Sequence, residues 1–256
     1  MVFAAAAPQA AIACPVCDAA SPLYGVVDFH KSCLEAAGKR LPLLGYPVYY
    51  RRCPGCALIF CDTFLDWSPA QFSRHIYNDD YPVVDPDYRS ARPLGNARMV
   101  AERFAEARSE IRVLDYGGGN GVCADELGRL GFDVTVHDRL AGHVAPATLQ
   151  GGADLILAFE VLEHAPRPQA MLDELLGFLR PEGVVLFSTL LQPVEIDRLG
   201  LGWWYAAPRN GHVSLHSRQS LARLFQSRGL SLRSLSEGLH LAWRGAPDFA
   251  RPLWGP

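Results

Sequence analysis

The feature that most constrains the fold is a cluster of glycines that follows an apolar segment and precedes a helical one. The segment Arg112-Val-Leu-Asp-Tyr-Gly-Gly-Gly-Asn-Gly121 predicts a strand that runs into a glycine loop. Glycines let the backbone turn sharply and approach a ligand, and the following helix presents free N–H groups and its positive end. The pattern predicts a small-ligand site at the end of a buried strand.

Two carboxylates near this loop narrow the choice of ligand. A second strand, predicted over 132–137, ends at Asp138, where a carboxylate can accept both hydroxyls of a ribose. Asp115 lies just before the glycines, where its charge would repel phosphates. The pair favours a ligand with a ribose and a cationic amino-acid end. The alternative is a glycine turn that only packs a helix on a strand, with Asp138 on the surface.

Apolar strands alternate with helices from residue 93 onward, which predicts an α/β fold with a mostly parallel sheet between helices. An amphipathic helix is predicted over 94–107. The predicted strands are 111–115, 132–137, 153–159, 183–190, 230–236 and 239–243, and the helices among them are 120–130, 167–180 and 218–228. Only a few residues around Gly238 join the last two strands, so we expect them to form an antiparallel hairpin.

These motifs resemble the class I, Rossmann-like methyltransferases that use S-adenosylmethionine. Residues 113–121 match the family's Val-Leu-Asp-x-Gly-x-Gly-x-Gly motif, and 154–164 and 183–189 are similar to its fourth and fifth strands. The resemblance implies that Asp138 binds the ribose of S-adenosylmethionine. It also implies that loop residues contact the methionine moiety, namely Asp115, Gly117, Gly119, Asn120 and Gly121. Phe159 and Glu160 are implied to contact the cofactor near the transferred methyl.

One segment departs from the family pattern. Residues 139–152 are too few for the usual helix and third strand. We therefore expect an adenine pocket that is shallow or closed by other parts of the chain.

Four of the seven cysteines form two Cys-x-x-Cys pairs, Cys14 with Cys17 and Cys53 with Cys56. Two such turns supply four thiolates in a closed tetrahedral shell, which predicts a structural Zn²⁺ in a small N-terminal module. Cys33 and Cys61 are rival ligands that we expect to be small buried residues instead, and Cys123 is expected in the core. Adventitious pairs or a redox switch are the alternatives.

A zinc ribbon ahead of a methyltransferase domain is similar to a subgroup of bacterial enzymes that methylate sugars, including C-methyltransferases of nucleotide-linked keto-sugars. The resemblance implies a small-molecule acceptor, a sugar or glycan precursor. It leaves open whether oxygen, nitrogen or carbon is methylated. It divides the chain into a flexible tail (1–12), a zinc-binding module (13–62), a connector with one short helix (63–92) and a methyltransferase domain (93–256).

An aromatic and histidine-rich segment, 202–217, follows the predicted fifth strand and is the expected acceptor loop. His212 is the predicted proton acceptor because Gly211 permits a close turn, and Tyr205 is the second candidate. The alternative is structural: Trp203 and Trp204 anchor the loop and His212 bonds the backbone. For His216, and for His164 after the fourth strand, a structural role is favoured.

Charge and hydropathy argue against nucleic-acid-binding, membrane and exported proteins. A net charge of −3 without a basic block argues against nucleic acid as a partner. No apolar run reaches the length of a membrane span, and the N-terminus lacks the pattern of an export signal, which predicts a cytoplasmic protein. The rival from another class is a zinc-ribbon partner-binding protein with an inactive methyltransferase-like domain.

Overall fold

The computed structural model describes residues 10–245 and 247–254. Residues 1–9, most of the predicted tail, lie outside the described residues. The chain forms two compact units, each assembled from three stretches. The cysteine unit comprises Met1–Pro86, Leu162–Gln169 and Leu190–Leu224, and the glycine-loop unit comprises Asp87–Val161, Ala170–Thr189 and Phe225–Pro256.

Strands and helices are numbered in chain order. The strands are β1 (Ala11–Ala13), β2 (Ala20–Asp28), β3 (Pro47–Arg52), β4 (Ile59–Cys61), β5 (Arg112–Tyr116), β6 (Asp133–His137), β7 (Ala153–Phe159), β8 (Leu179–Ser188), β9 (Ser214–Leu215), β10 (Ser231–Ser234) and β11 (Leu239–Trp243). The helices are α1 (Pro69–His75), α2 (Tyr81–Val84), α3 (Ala91–Arg103), α4 (Val122–Arg129), α5 (Pro168–Phe178), α6 (Ile196–Leu199), α7 (Arg218–Gln226) and α8 (Arg251–Trp254). No helix within the described ranges is both long and apolar enough to cross a bilayer.

A six-stranded sheet forms the glycine-loop unit, in the order β10-β11-β8-β7-β5-β6. Strands β6, β5, β7 and β8 are parallel, whereas β11 pairs antiparallel with both β8 and β10. The predicted α/β fold, with its mostly parallel sheet and final antiparallel hairpin, is confirmed. Strand β7 is buried along almost its whole length, as expected for a central parallel strand.

Two elements, β8 and α3, differ from their predicted bounds by three residues or more. Strand β8 begins at Leu179, inside the predicted helix 167–180, because Leu179 pairs with Ala153 ahead of an irregularity in the register. Helix α3 begins at Ala91 and ends at Arg103, which shifts the predicted helix 94–107 toward the N-terminus. The apolar face of α3, through Ala97 and Val100, still packs on the core of this sheet.

The segment 139–152 contains no strand, in agreement with its length. Asp138 and His143 exchange two backbone hydrogen bonds of 2.8 Å, which close a tight loop directly after β6. A single 3-10 turn, Ala147–Leu149, leads to β7. Strand β6 therefore forms one edge of the described sheet.

The cysteine unit contains a second, antiparallel sheet in the order β1-β2-β3-β4-β9. Strand β3 contains the apolar run Pro47-Val-Tyr-Tyr50, and β4 overlaps the run Ala57-Leu-Ile-Phe60. Strand β9 belongs to the predicted acceptor loop, and its pairing with β4 was not predicted. Because β9 begins two residues after His212, this pairing fixes the position of the histidine within the unit.

Candidate active site

The four paired cysteines form one cluster in the cysteine unit. Their sulfur atoms all lie within 4.8 Å of one another, with 3.6 Å between Cys14 and Cys56 and 3.3 Å between Cys17 and Cys53. A tetrahedral zinc site with bonds of about 2.3 Å has sulfur–sulfur edges of about 3.8 Å. The cluster therefore fits the predicted zinc ion without rearrangement of the backbone.

The two cysteine turns have the same local geometry. The Val16 N–H donates to the Cys14 sulfur at 3.4 Å, and the Gly55 N–H donates to the Cys53 sulfur at 3.3 Å. The hydrogen bond between Cys56 and Cys14 lowers the pKa of Cys14 and raises that of Cys56, so these two sulfurs share a proton. Donors aimed at sulfur stabilise thiolates, which are the form that binds metal.

The remaining cysteines are separate from this cluster. Burial raises the pKa of Cys61 to about 12 and raises that of Cys123 well above its usual value. Both are neutral buried thiols near pH 7, in keeping with the core positions predicted for them. The Cys33 sulfur lies 3.8 Å from Nδ1 of His212.

We expect one zinc ion per chain, and we expect its loss in a Cys53→Ser protein. Structural zinc contributes on the order of 10 kcal/mol to folding in such modules, so the cysteine unit should unfold when the site is broken. Elemental analysis and circular dichroism measure both effects. The matched control is Cys61→Ala, which removes a buried thiol outside the cluster and should retain the metal. Full zinc content in the Cys53→Ser protein would contradict the assignment.

In the glycine-loop unit, Asp115 lies at the carboxyl end of β5 and is 3% exposed. Its Oδ2 atom has no hydrogen-bond partner among the described residues. Burial, reinforced by the negative charge of Asp138, raises the pKa of Asp115 to about 7. A buried carboxyl oxygen without a partner is costly, and a cationic group of a ligand would satisfy it.

There is no room for side chains around the Asp115 carboxylate, so the loop requires glycine at these positions. A Cβ atom on Gly118 would lie 2.5 Å from Asp115 Oδ2, and one on Gly117 would lie 2.5 Å from Val161 Cγ2. Gly117, Gly119 and Gly121 also have positive φ angles, which side chains disfavour. The loop is therefore a cradle of bare backbone, as the sequence predicts.

Asp138 is held beside the loop by backbone donors. Its Oδ2 atom accepts from the Gly119 N–H at 2.9 Å, and its Oδ1 atom accepts from the N–H groups of Leu140 and Ala141 at 2.9 and 3.0 Å. These bonds fix a carboxylate at the end of β6, next to the end of β5. Its position suits a ribose-binding acid.

Glu160, one residue past β7, has a φ angle of +56°, which is strained for a residue with a side chain. Its N–H donates to Ser188 Oγ at 2.8 Å, and that hydroxyl donates to Glu160 Oε1 at 3.0 Å. Phe159 packs against the apolar core, and Asn120 is exposed on the loop. The predicted cofactor residues thus lie after three adjacent parallel strands.

The cysteine unit holds a second group of polar residues, which we call the histidine cluster: Glu163, His164, Tyr205, His212 and Tyr77. The Tyr205 hydroxyl donates to Glu163 Oε1 at 2.6 Å, and the rings of Tyr205 and His212 are 4.2 Å apart. The rings of His164 and His212 meet edge to face at 5.0 Å. Sequence reasoning singled out His212 and Tyr205 but missed Glu163 and Tyr77.

Backbone carbonyls orient both histidines. His212 Nδ1 lies 2.9 Å from the carbonyl oxygen of Tyr205, and His164 Nδ1 lies 3.1 Å from that of Gly211. A carbonyl only accepts, so in His212 Nδ1 carries the proton and Nε2 is the basic atom. His164 Nδ1 also lies 3.0 Å from the Tyr77 hydroxyl, which can donate or accept. Both His212 and Tyr205 are buried, with 5% and 3% exposure.

Gly211 makes this packing possible. Its φ angle is +87°, and a Cβ atom there would lie 3.1 Å from both His164 Nδ1 and the Tyr77 hydroxyl. The close turn expected before His212 is therefore present. His216 bonds Ser220 through Nδ1 at 3.3 Å, which agrees with the structural role favoured for it. Ligand atoms of Glu163, His164 and His212 lie within 4.8 Å of one another, so this cluster also has the spacing of a metal site.

Comparison with known proteins assigns the family. Residues 88–235, more than half of the chain, match the family described as "Methyltransferase domain". The chain belongs to this methyltransferase family. The match covers the glycine loop, both flanking carboxylates and the strands on which they lie. With the sheet order described above, it confirms a class I S-adenosylmethionine-dependent methyltransferase.

Individual relatives agree with this assignment. The methyltransferase is 28% identical over 185 residues to the ubiquinone biosynthesis O-methyltransferase of Xanthomonas axonopodis pv. citri (strain 306), covering 60% of this chain and 77% of the relative. It is 28% identical over 132 residues to the enzyme of the same name from Rickettsia felis, covering 41% and 53% of the two chains. A solved O-methyltransferase family protein from Burkholderia thailandensis has a similar fold, with a TM-score of 0.50, 20% identity and coverage of 70% and 63%.

Asp115→Asn is expected to stabilise the free methyltransferase while weakening its cofactor binding. The pKa of Asp115 is raised from 3.8 to about 7 in the folded protein, so the wild type loses stability as pH rises from 3.8 to about 7, and the loss is complete above that range. The melting temperature of the variant should exceed that of the wild type at pH 8, and the difference should shrink toward pH 5. Calorimetry at both pH values measures it. A variant that is less stable at pH 8 would contradict this account.

Proposed function

We propose that this methyltransferase transfers the methyl group to a hydroxyl oxygen of a small hydroxylated acceptor, a sugar or glycan precursor. The names of the Xanthomonas and Rickettsia relatives support oxygen as the methylated atom. The aromatic residues of the segment 202–217 support a ring-shaped acceptor, because aromatic faces stack on sugar rings. The observation that carries the proposal is the histidine cluster, which supplies a proton acceptor for a hydroxyl.

The residues at the ends of β5, β6 and β7 would hold the cofactor. Asp115 and the bare backbone of the glycine loop would receive its amino-acid end, and Asp138 would receive the ribose. When bound, S-adenosylmethionine supplies an electrophilic methyl group on a sulfonium. Glu160, fixed by Ser188, would lie beside the cofactor.

His212 accepts the proton of the acceptor hydroxyl at Nε2. The carbonyl of Tyr205 keeps the proton of the neutral ring on Nδ1, which leaves Nε2 basic. Glu163, oriented by the Tyr205 hydroxyl, has a ligand atom within 4.8 Å of one of His212, and its carboxylate would stabilise the imidazolium that forms through charge rather than through a direct hydrogen bond. Tyr205 therefore acts through its backbone and its hydroxyl, as a positioning residue in this scheme.

A His212→Ala protein should retain cofactor binding and lose about a hundredfold in kcat, since general-base catalysis contributes about 10² to 10⁴ in rate. Formation of S-adenosylhomocysteine with a panel of sugar phosphates, nucleotide sugars and catechols measures turnover. The control is His216→Asn, which keeps a side-chain partner for Ser220 and should remain active. The low-pH limb of the kcat profile should disappear in His212→Ala.

Two outcomes would overturn this scheme. Near-normal turnover by His212→Ala would remove the base. A second metal ion per chain that is lost in the same variant would assign Glu163, His164 and His212 to metal binding. Folded, zinc-loaded protein that binds cofactor but methylates no acceptor in the panel would favour the partner-binding alternative.

A further inference from the structure

A cavity in the cysteine unit is separate from the zinc cluster and from the histidine cluster. It is open to solvent, is formed by two segments, 35–40 and 199–204, and has a volume of about 620 Å³. Small-molecule sites commonly measure about 300 to 1,000 Å³. Its walls include Glu35, Arg40, Leu199, Gly202, Trp203 and Trp204.

Aromatic rings connect this cavity to the histidine cluster. The rings of Trp203 and Trp204 lie 5.2 and 5.3 Å from that of Tyr205. Tyr205 in turn contacts His212. Trp203 is buried and serves as an anchor, whereas Trp204 is partly exposed at the cavity wall. A molecule in the cavity therefore lies against the aromatic residues that support the proposed base.

Opposite charges line the same cavity. Arg40 is exposed, and among the described residues it has no hydrogen bond or ion pair. Glu35 is half-buried, and its carboxylate accepts a hydrogen bond from Lys31 at 2.5 Å. A guanidinium prefers phosphate or carboxylate partners, and a carboxylate accepts hydrogen bonds from hydroxyls.

The cavity also contains unfilled space beside two glycines. A Cβ atom on Gly38 or Gly202 would have no heavy atom within 4 Å. Gly202 lacks a positive φ angle, so a larger side chain there is compatible with the backbone. Substitution at Gly202 is therefore a way to fill the cavity without strain.

We propose that this cavity binds an anionic carbohydrate portion of the acceptor. The sugar ring lies against Trp204, Arg40 binds a phosphate or carboxylate, and Glu35 accepts hydroxyl hydrogen bonds. The inference rests on the proposed function, because it assigns to the same acceptor a second binding site, apart from the base His212. A guanidinium binds phosphate and carboxylate in the same way, so separate probes with each group are needed to distinguish them.

Calorimetric titration without cofactor tests the cavity directly. The probes are glucose 1-phosphate, glucuronate and glucose, added to the full-length protein with zinc bound. We expect the anionic probes to bind about tenfold more tightly than glucose, the loss expected for one hydrogen bond to a charged group. If only glucose 1-phosphate or only glucuronate binds, the group that Arg40 recognises is phosphate or carboxylate, respectively.

Three variants decide the assignment. Arg40→Gln should reduce the affinity of the anionic probes to that of glucose, and Gly202→Leu should abolish binding of all three while zinc content and melting temperature stay unchanged. Arg103→Gln, an exposed arginine of α3, is the matched control and should bind normally. No binding by the wild type, or equal affinity in Arg40→Gln, would overturn the inference. The titration contains no cofactor, so it tests the cavity separately from methyl transfer. If the probes bind but the protein methylates no acceptor, the proposed function is wrong and the cavity assignment stands.

Discussion

The burial of Asp115 beside a second carboxylate, Asp138, is the constraint on which the glycine-loop unit depends. The two carboxylates end neighbouring parallel strands, and the first is buried with one oxygen lacking a partner among the described residues. Such an arrangement lowers the stability of the free protein, since burial and like charge both disfavour ionisation. A ligand with a cationic end and a ribose satisfies both groups. The glycines follow from the same constraint, because side chains at Gly117 and Gly118 would occupy space that Val161 and Asp115 already fill.

The cysteine unit depends on a different interaction. Four sulfurs within 4.8 Å of one another lie on the two cysteine turns of this unit, and a zinc ion bound there would cross-link the turns. Strand β9 pairs with β4 in this sheet, and the residues just before β9 carry His212. A zinc ion would therefore support the histidine cluster indirectly, through the sheet rather than by contact.

Much of this organisation was accessible from the sequence. The α/β fold, the antiparallel hairpin and the missing third strand follow from apolar periodicity and segment length. The glycine loop and the cysteine pairs are local motifs, so spacing alone predicts their geometry. Tyr77 was missed because it lies 87 residues from His164. Glu163 is adjacent to His164 in the sequence, but it was missed because it meets Tyr205, 42 residues away, only through long-range packing. The pairing of β4 with β9 and the cavity beside Trp204 are likewise tertiary features, without a signal in any one segment.

The most direct test of the central claim, that the ends of β5 and β6 hold S-adenosylmethionine, is a calorimetric titration with this cofactor and with S-adenosylhomocysteine. Wild-type protein, Asp138→Ala and Asp138→Asn are compared, with zinc content and folding checked in each sample. The account predicts binding by the wild type, at least about a tenfold loss in Asp138→Asn, which retains one acceptor for the Gly119 N–H, and a larger loss in Asp138→Ala. Folded wild type that binds neither compound, or variants with unchanged affinity, would contradict it.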